Sequence, residues 1–140
     1  MKITEFTGGY EVKSHRELRS GAFECDLFQD GRKILHVTND GRGGSNLYQP
    51  VTGNVGHDFR ASLDALVTFA ENTGFDSYEP ADMFVDALAM VKQIGAHSKR
   101  HSISYAEAAQ PLLADITRID REFYAATIAL IRRVAEEMAK

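Results

Sequence analysis

The chain has 140 residues and a net charge of −4, with 44% hydrophobic and 26% charged residues, which is ordinary for a folded globular protein. Its single cysteine cannot form an internal disulfide, and its apolar runs are too short for a transmembrane helix or a secretory signal. Acidic and basic residues are mixed along the chain, unlike the basic surface of a nonspecific nucleic-acid-binding protein. We therefore expect a cytoplasmic protein that neither binds a membrane nor requires a cofactor.

A β-hairpin is the clearest element of the first part of the chain. Residues 21–28 and 33–38 have strand patterns, and they flank Asp30-Gly31, a pair that suits a type I′ turn because both positions need a positive φ. A two-residue turn fixes the register and places Cys25 opposite His36. The better core face of the hairpin is predicted to carry Phe23, Cys25, Leu27, Ile34 and His36.

Two weaker strands and a loop complete the predicted N-terminal sheet. Residues 3–6 and 10–13 are strand candidates, and two glycines separate them. Residues 39–46 contain three glycines and no apolar side chain, which predicts a loop. Residues 47–56 are expected to continue irregularly.

From about residue 57 the pattern becomes helical. Asp58 is the predicted N-cap of a helix that ends at Gly74, and apolar residues recur between them at helical spacing. A second helix is predicted from Pro80 to Gly95, because proline favours the start of a helix and glycine its end. Residues 96–103 are predicted to form a polar connector.

The last region predicts a long helix. Ser104 and Glu107 form a capping-box pattern, and Pro111 is expected to break the short helix that they start. A helix over residues 111–139 would carry apolar residues on two sides. These two sides fit either packing within the chain or a homodimer that forms through this helix.

Together these elements predict an α+β protein, with a small N-terminal antiparallel sheet built on the hairpin and then three or four helices, the last one long. The β subdomain covers residues 1–56 and includes the glycine-rich loop, and the helical subdomain covers residues 57–140. We expect the two to form one compact unit, since a chain of this length can build one sizeable core.

The glycine-rich loop is the first candidate site, and it reads Asn39-Asp40-Gly41-Arg42-Gly43-Gly44-Ser45-Asn46. Glycines allow backbone N–H groups to converge on an anion, and Arg42 would add positive charge, which suits a nucleotide or a small anion. The loop lacks the Lys-Ser/Thr ending of a Walker loop and the glycine spacing of a dinucleotide-binding loop. A tight turn that needs glycine is the alternative.

The loop and its flanking residues resemble a group of known proteins. The run Val37-Thr38-Asn39-Asp40-Gly41-Arg42-Gly43-Gly44-Ser45-Asn46-Leu47-Tyr48 is similar to a segment of small, uncharacterised phage and mobile-element proteins, in which a short β-hairpin leads into an Asn-Asp-Gly-x-Gly-Gly loop. The resemblance covers about a dozen residues. It implies a phage or plasmid accessory protein, a group that includes inhibitors of bacterial defence systems, and it transfers no catalytic residues.

A cysteine nucleophile is the second candidate. Cys25 beside His36, with Asn39 or Asp40 to orient the histidine, has the residue types of a cysteine hydrolase. The alternative is a thiol packed among apolar side chains, which would be inert.

Two histidine patterns are candidate metal sites. His57-Asp58 fits part of a metal-dependent phosphohydrolase pattern, but a helix cap at Asp58 also explains this pair. His97 and His101 have the spacing of zinc ligands on one helix face, but no third ligand is evident and a solvated connector is the alternative. Four tyrosines fit either interface anchors or half-buried packing residues, namely Tyr48, Tyr78, Tyr105 and Tyr124.

We expect a non-enzymatic binding protein that covers or sequesters a macromolecular partner, such as a host protein complex, as an inhibitor of the anti-defence type. The alternatives are a nucleotide or small-anion binder that uses loop 39–46, and a small hydrolase. No catalytic or metal-binding residue is predicted. The predicted partner or ligand contacts are Asn39, Asp40, Arg42, Ser45, Asn46, Tyr48, Lys99 and Arg100.

Overall fold

The computed structural model describes residues 3–51, 58–75 and 79–140. A four-stranded antiparallel sheet with the strand order β1-β2-β3-β4 is followed by four helices, which confirms the predicted α+β class. The strands are β1 (Tyr10–Glu17), β2 (Phe23–Gln29), β3 (Arg32–Asn39) and β4 (Leu47–Gln49). The helices are α1 (Phe59–Asn72), α2 (Pro80–His101), α3 (Tyr105–Asp120) and α4 (Ala125–Met138).

The turn of the β2–β3 hairpin is as predicted, but the register beyond it is not. Asp30 and Gly31 have φ values of 51° and 81°, the positive values that a type I′ turn requires. Phe28 lies opposite Lys33, as expected. The pairing then shifts by one residue, because Ile34 has no partner of its own on β2 and forms a β-bulge.

The bulge separates Cys25 from His36. Cys25 lies opposite Val37 and His36 lies opposite Asp26, so the predicted pair is wrong. Burial explains the shifted register, because it turns Leu35 and Val37 toward the core and leaves His36 half-buried on the other face.

Ile34 and Leu35 follow each other in β3, yet both are buried, with 4% and 0% of their surface exposed. Neighbouring residues of a regular strand point to opposite faces, and the bulge removes this alternation here. The core face therefore includes Leu35, which was not predicted, and it excludes His36.

The ends of the sheet also differ from the prediction. Residues 3–6 do not form a strand. Ile3–Glu5 is a 3-10 turn, in which the Phe6 N–H donates to the Ile3 carbonyl at 3.2 Å. The Gly9 N–H donates to the Thr4 carbonyl at 2.8 Å, and the chain turns back before β1. β1 runs to Glu17, with an irregularity at Ser14, whose φ is 55°. The short strand β4 lies within a stretch that was expected to be irregular, and the rest of that stretch, residues 52–56, lies outside the described residues.

Helix α1 is as predicted, and α2 is longer. The Asp58 side chain caps α1 by accepting from the Ala61 N–H at 3.1 Å. Helix α2 begins at Pro80 but continues past Gly95 to His101, so the predicted connector is wrong over residues 96–101. One glycine costs a helix only about 1 kcal/mol, and the basic last turn of α2 is favourable at the negative end of the helix dipole.

The C-terminal helical region divides at a different place. Ser104 caps α3 as predicted and accepts from the Glu107 N–H at 3.1 Å, but Pro111 lies inside this helix. The break comes at residues 121–124, where the Asp120 carboxylate accepts from the Phe123 N–H at 3.0 Å and offers the backbone an alternative to helix. The predicted single helix over 111–139 is therefore wrong, and α4 has 14 residues.

Helix α2 is the central element of the fold. It contacts β1, α1, α3 and α4. Its first half packs with the sheet and α1 around Phe84, and its second half packs with α3 and α4 around Ile94. Within the described ranges, no helix is both long enough and apolar enough to cross a bilayer.

The bulge makes a test of the β3 register possible. We expect Ile34→Ala and Leu35→Ala each to lower the free energy of unfolding by about 2–5 kcal/mol, since both side chains leave a cavity in the core. Lys33→Ala, at a position whose ion pair with Asp26 is partly exposed, is expected to cost at most about 1 kcal/mol. Urea unfolding measures all three, and a cost confined to one of the two core variants would show a regular strand without the bulge.

Candidate functional site

The side chain of Asn39 organises the glycine-rich loop. Its Nδ2 group donates to the Gly44 carbonyl and to Asn46 Oδ1, both at 3.0 Å. Its Oδ1 atom accepts from the Gly41 N–H at 2.8 Å. One side chain therefore joins both ends of the loop and its middle.

Side chains of the loop accept hydrogen bonds from the loop's own backbone N–H groups. The Arg42 N–H donates to Asp40 Oδ1 at 3.0 Å, and the Gly41 N–H is taken by Asn39. The two donors at the centre of the predicted anion site are thus already satisfied, while the Arg42 residue is exposed. This geometry favours the tight-turn interpretation of the loop.

Gly41 is packed against the chain that leads into β2. Its φ is 76°, and a Cβ atom there would lie 2.5 Å from the Ala22 backbone nitrogen. Gly43 has a similar φ of 82°, but a Cβ atom there would meet none of the residues that the structure describes within 4 Å. The two glycines therefore share a backbone conformation and differ in their surroundings.

Hydrogen bonds join the far side of the loop to the start of α2. The Ser45 hydroxyl donates to the Glu79 carboxylate. The Asn46 N–H donates to Asp82 Oδ2 at 3.0 Å, and the Tyr48 hydroxyl donates to Asp82 Oδ1 at 2.6 Å. Three of the predicted contact residues are therefore held against two carboxylates that were not predicted.

A groove of about 290 Å³ lies between the loop, α2 and the turn before α4. The three carboxylates along one side stand at positions i, i+3 and i+7, so they share one face of the helix region. We call this site the acidic groove, and its main lining residues are Asn39, Asn46, Glu79, Asp82, Asp86, Phe123 and Tyr124.

Asp86 is the least satisfied of these acids. In the described part of the chain, no hydrogen bond or ion pair involves its carboxylate. Burial, together with the negative charge of Asp82, raises the pKa of Asp86 to about 7. Burial also raises the pKa of Asp82 and outweighs the lowering effect of its hydrogen bonds from Tyr48 and Asn46, and the neighbouring Glu79 carboxylate adds a smaller rise.

Two aromatic side chains from the turn before α4, Phe123 and Tyr124, line the acidic groove. Phe123 is 48% exposed, and its ring packs edge-on against Tyr124 at 4.9 Å between centroids. Ile119, four residues earlier in the chain, is 65% exposed. A negative floor beside exposed aromatic rings is suited to a cationic side chain carried on an apolar surface.

The structure does not bring all predicted contacts together. Lys99 and Arg100 lie near the end of α2, which puts Lys99 about 25 Å along the helix from Asp82 at 1.5 Å per residue. Sequence reasoning missed Glu79, Asp82 and Asp86, although their spacing was a visible signal of an acidic helix face.

The cysteine and histidine of the hydrolase hypothesis do not meet. Cys25 is 1% exposed, and burial, with the nearby charges of Asp26 and Asp86, raises the pKa of its thiol to about 12. The His36 Nδ1 atom lies 2.8 Å from Asp26 Oδ1 instead. The packed, inert thiol is the interpretation that this geometry favours.

The histidine patterns gain no support. His97 and His101 share one face of α2, with ring centroids 4.3 Å apart, and no cluster of three metal-ligating side chains occurs among the described residues. Asp58 is a helix cap, while His57 and Tyr78 lie outside the described residues. Tyr105 is a buried packing residue whose hydroxyl donates to the Val91 carbonyl at 3.3 Å.

Comparisons with protein-family models, with curated proteins and with solved structures found no match. The functional argument therefore depends on the geometry and charge of the described residues.

The two glycines of the loop provide a matched pair of variants. Gly43→Ala is expected to cost about 1–2 kcal/mol of unfolding free energy, for the positive φ alone. Gly41→Ala is expected to cost roughly 1–3 kcal/mol more, because its methyl group would overlap the backbone before β2. Chemical denaturation of both variants tests this, and equal costs would show that the loop does not pack where the structure places it.

The state of the Cys25 thiol can be measured directly. At pH 8, we expect a thiol reagent such as DTNB to react with the native protein more than about a hundredfold slower than with the denatured protein, because the thiol is buried and protonated. Equal rates in the two states would place the thiol at the surface and would favour the hydrolase alternative.

Proposed function

We propose that this protein is a non-enzymatic binding protein, whose acidic groove holds a basic side chain of a macromolecular partner. The observation that carries the proposal is the Asp86 carboxylate, which is largely buried, lies beside two other acids and has no cation or hydrogen-bond donor in the described part of the chain. Burying a charge without a partner is unfavourable, and an arriving guanidinium or ammonium group would remove that cost.

The surroundings of the groove favour a macromolecule over a small amine. Phe123 lines the groove and is exposed, and large apolar side chains at the rim of a charged pocket are typical of protein-binding surfaces. The loop adds rigid polar groups on the opposite side, because Asn39 and Asp82 fix its conformation. The partner contact that we propose is therefore an arginine or lysine within an apolar patch.

The resemblance of residues 37–48 would place such a protein among phage or mobile-element accessory proteins, as a cytoplasmic inhibitor that covers a host protein complex. This setting stays a prediction. The homodimer also stays a prediction, and the single long helix on which it was based is two shorter helices.

The alternative functions have less support. An anion at loop 39–46 would meet backbone donors that are already used and carboxylates that repel it. A hydrolase would need an accessible nucleophile in place of the buried Cys25 thiol. The binding proposal is therefore the function that fits the negative charge of the acidic groove.

Capture with a charge-neutralising variant tests the proposal. Tagged wild-type protein should retain a partner from a bacterial lysate, and Asp86→Asn should retain at least about tenfold less of it, since breaking a buried charge pair costs 2 kcal/mol or more. Glu136→Gln, at an exposed acid on α4 outside the groove, is the matched control and should retain the wild-type amount. Equal retention by Asp86→Asn and the control would contradict the proposal.

The stability of the same variant shows whether lost capture reflects the groove or the fold. Because the folded-state pKa of Asp86 is above its unfolded value near 4, the wild-type protein takes up a proton on folding and becomes less stable as the pH rises toward 7. Asp86→Asn should lack this decline and should be at least as stable as wild type at pH 8. If Asp86→Asn were less stable than wild type at pH 8, unfolding would explain its lower retention of the partner.

A further inference from the structure

We propose that a second groove, at the other end of α2, binds a small amphipathic carboxylate with a medium-length hydrocarbon chain. The groove has a volume of about 430 Å³ and lies between the N-terminal turn, β1, the second half of α2 and the end of α4. This volume is within the range of small-molecule sites. We call it the apolar groove, and it shares no lining residue with the acidic groove.

Hydrocarbon side chains form the walls of the apolar groove. Val12 of β1 and Val91 of α2 are almost fully buried behind it, and Leu88 continues the same face of the helix. Met138 of α4 stands at its mouth and is 55% exposed. A flexible methionine over an apolar surface can adjust to an acyl chain of variable shape.

Gly95 leaves space in this groove, although neither the helix nor its neighbours require a glycine at this position. It lies inside α2, where glycine costs about 1 kcal/mol relative to alanine. Among the described residues, a Cβ atom there would meet only Tyr105, at 4.0 Å, which is ordinary van der Waals contact. Neither backbone conformation nor packing among the described residues accounts for this glycine, whereas a ligand that passes over the helix does.

Two lysines give the apolar groove its charge. Lys92 and Lys99 line it seven residues apart, on one side of α2, and both are exposed. Neither side-chain ammonium group has an ion pair or hydrogen bond within the described ranges. Of the described residues that line the groove, Glu11 is the one acid, and its Oε1 atom lies 3.7 Å from Lys13 Nζ. The groove is thus positive at its rim, in a protein whose net charge is −4.

The size and charge of the apolar groove select its occupant. A stable protein partner needs about 800 Å² of contact on each side, which calls for a broad face rather than a narrow groove. Two lysines beside hydrocarbon walls match one anionic head and one apolar tail. A fatty acid of medium length has both parts.

Sodium decanoate, kept below its micelle-forming concentration, is the probe. Isothermal titration calorimetry should show one site on the wild-type protein. The double variant Lys92→Gln/Lys99→Gln should bind about fivefold or more weakly, since it removes two partly exposed charge contacts. Arg100→Gln neutralises an exposed neighbour that does not line the groove and should bind like wild type. Decanol, which lacks the charge, should bind wild type as weakly as decanoate binds the double variant.

Gly95→Leu tests whether the hydrocarbon tail of decanoate binds in the apolar groove. Leucine suits a helix better than glycine, so this variant should remain folded, and its side chain should fill the groove and abolish decanoate binding. Asp86→Asn should bind decanoate normally, which separates this site from the acidic groove.

Three results would overturn the proposal. They are absence of decanoate binding to wild type, equal loss in Arg100→Gln and the double variant, and equal binding of decanoate and decanol by wild type. Sedimentation analysis adds a fourth: a wild-type dimer that Gly95→Leu converts to a monomer would identify a second copy of the chain as the occupant.

Discussion

The Asp82 carboxylate is the constraint on which the sheet edge and the acidic groove both depend. One of its oxygens accepts from the Asn46 N–H and the other from the Tyr48 hydroxyl. Tyr48 belongs to β4, which has only three residues, so its bond to Asp82 links this short strand directly to α2. Asp86, one helical turn further, has no hydrogen bond or ion pair in the described part of the chain.

Helix α2 separates opposite charges at its two ends. Asp82 lies in its first turn, and Lys99 lies in its last, an arrangement that the helix dipole stabilises at both ends. The same arrangement makes one end of the molecule suited to cations and the other to anions. The two grooves therefore follow from one helix that is too long to be covered by a single neighbour, with one core packed against each half.

Local chemistry was predictable from the sequence, and long-range packing was not. Asp30-Gly31 and the Asp58 cap were found because each acts within a few residues of itself. The bulge at Ile34 was missed because its cause is burial against distant helices. The spacing of the three carboxylates at α2 could be seen in the sequence, but only the fold shows that loop 39–46 packs against them. The helix break was predicted at Pro111, which lies inside α3. The break instead follows Asp120, whose carboxylate accepts a hydrogen bond from the Phe123 N–H.

The shapes of β1 and β4 have a consequence for how the molecule meets other chains. Strands at the edge of a sheet invite pairing with another chain, and this leads to fibrils when the edge is long and flat. Here one edge strand is interrupted at Ser14 and continues with charged residues, and the other has three residues. Neither edge strand is the long, flat template on which another chain pairs readily, so the sheet discourages edge-to-edge polymerisation.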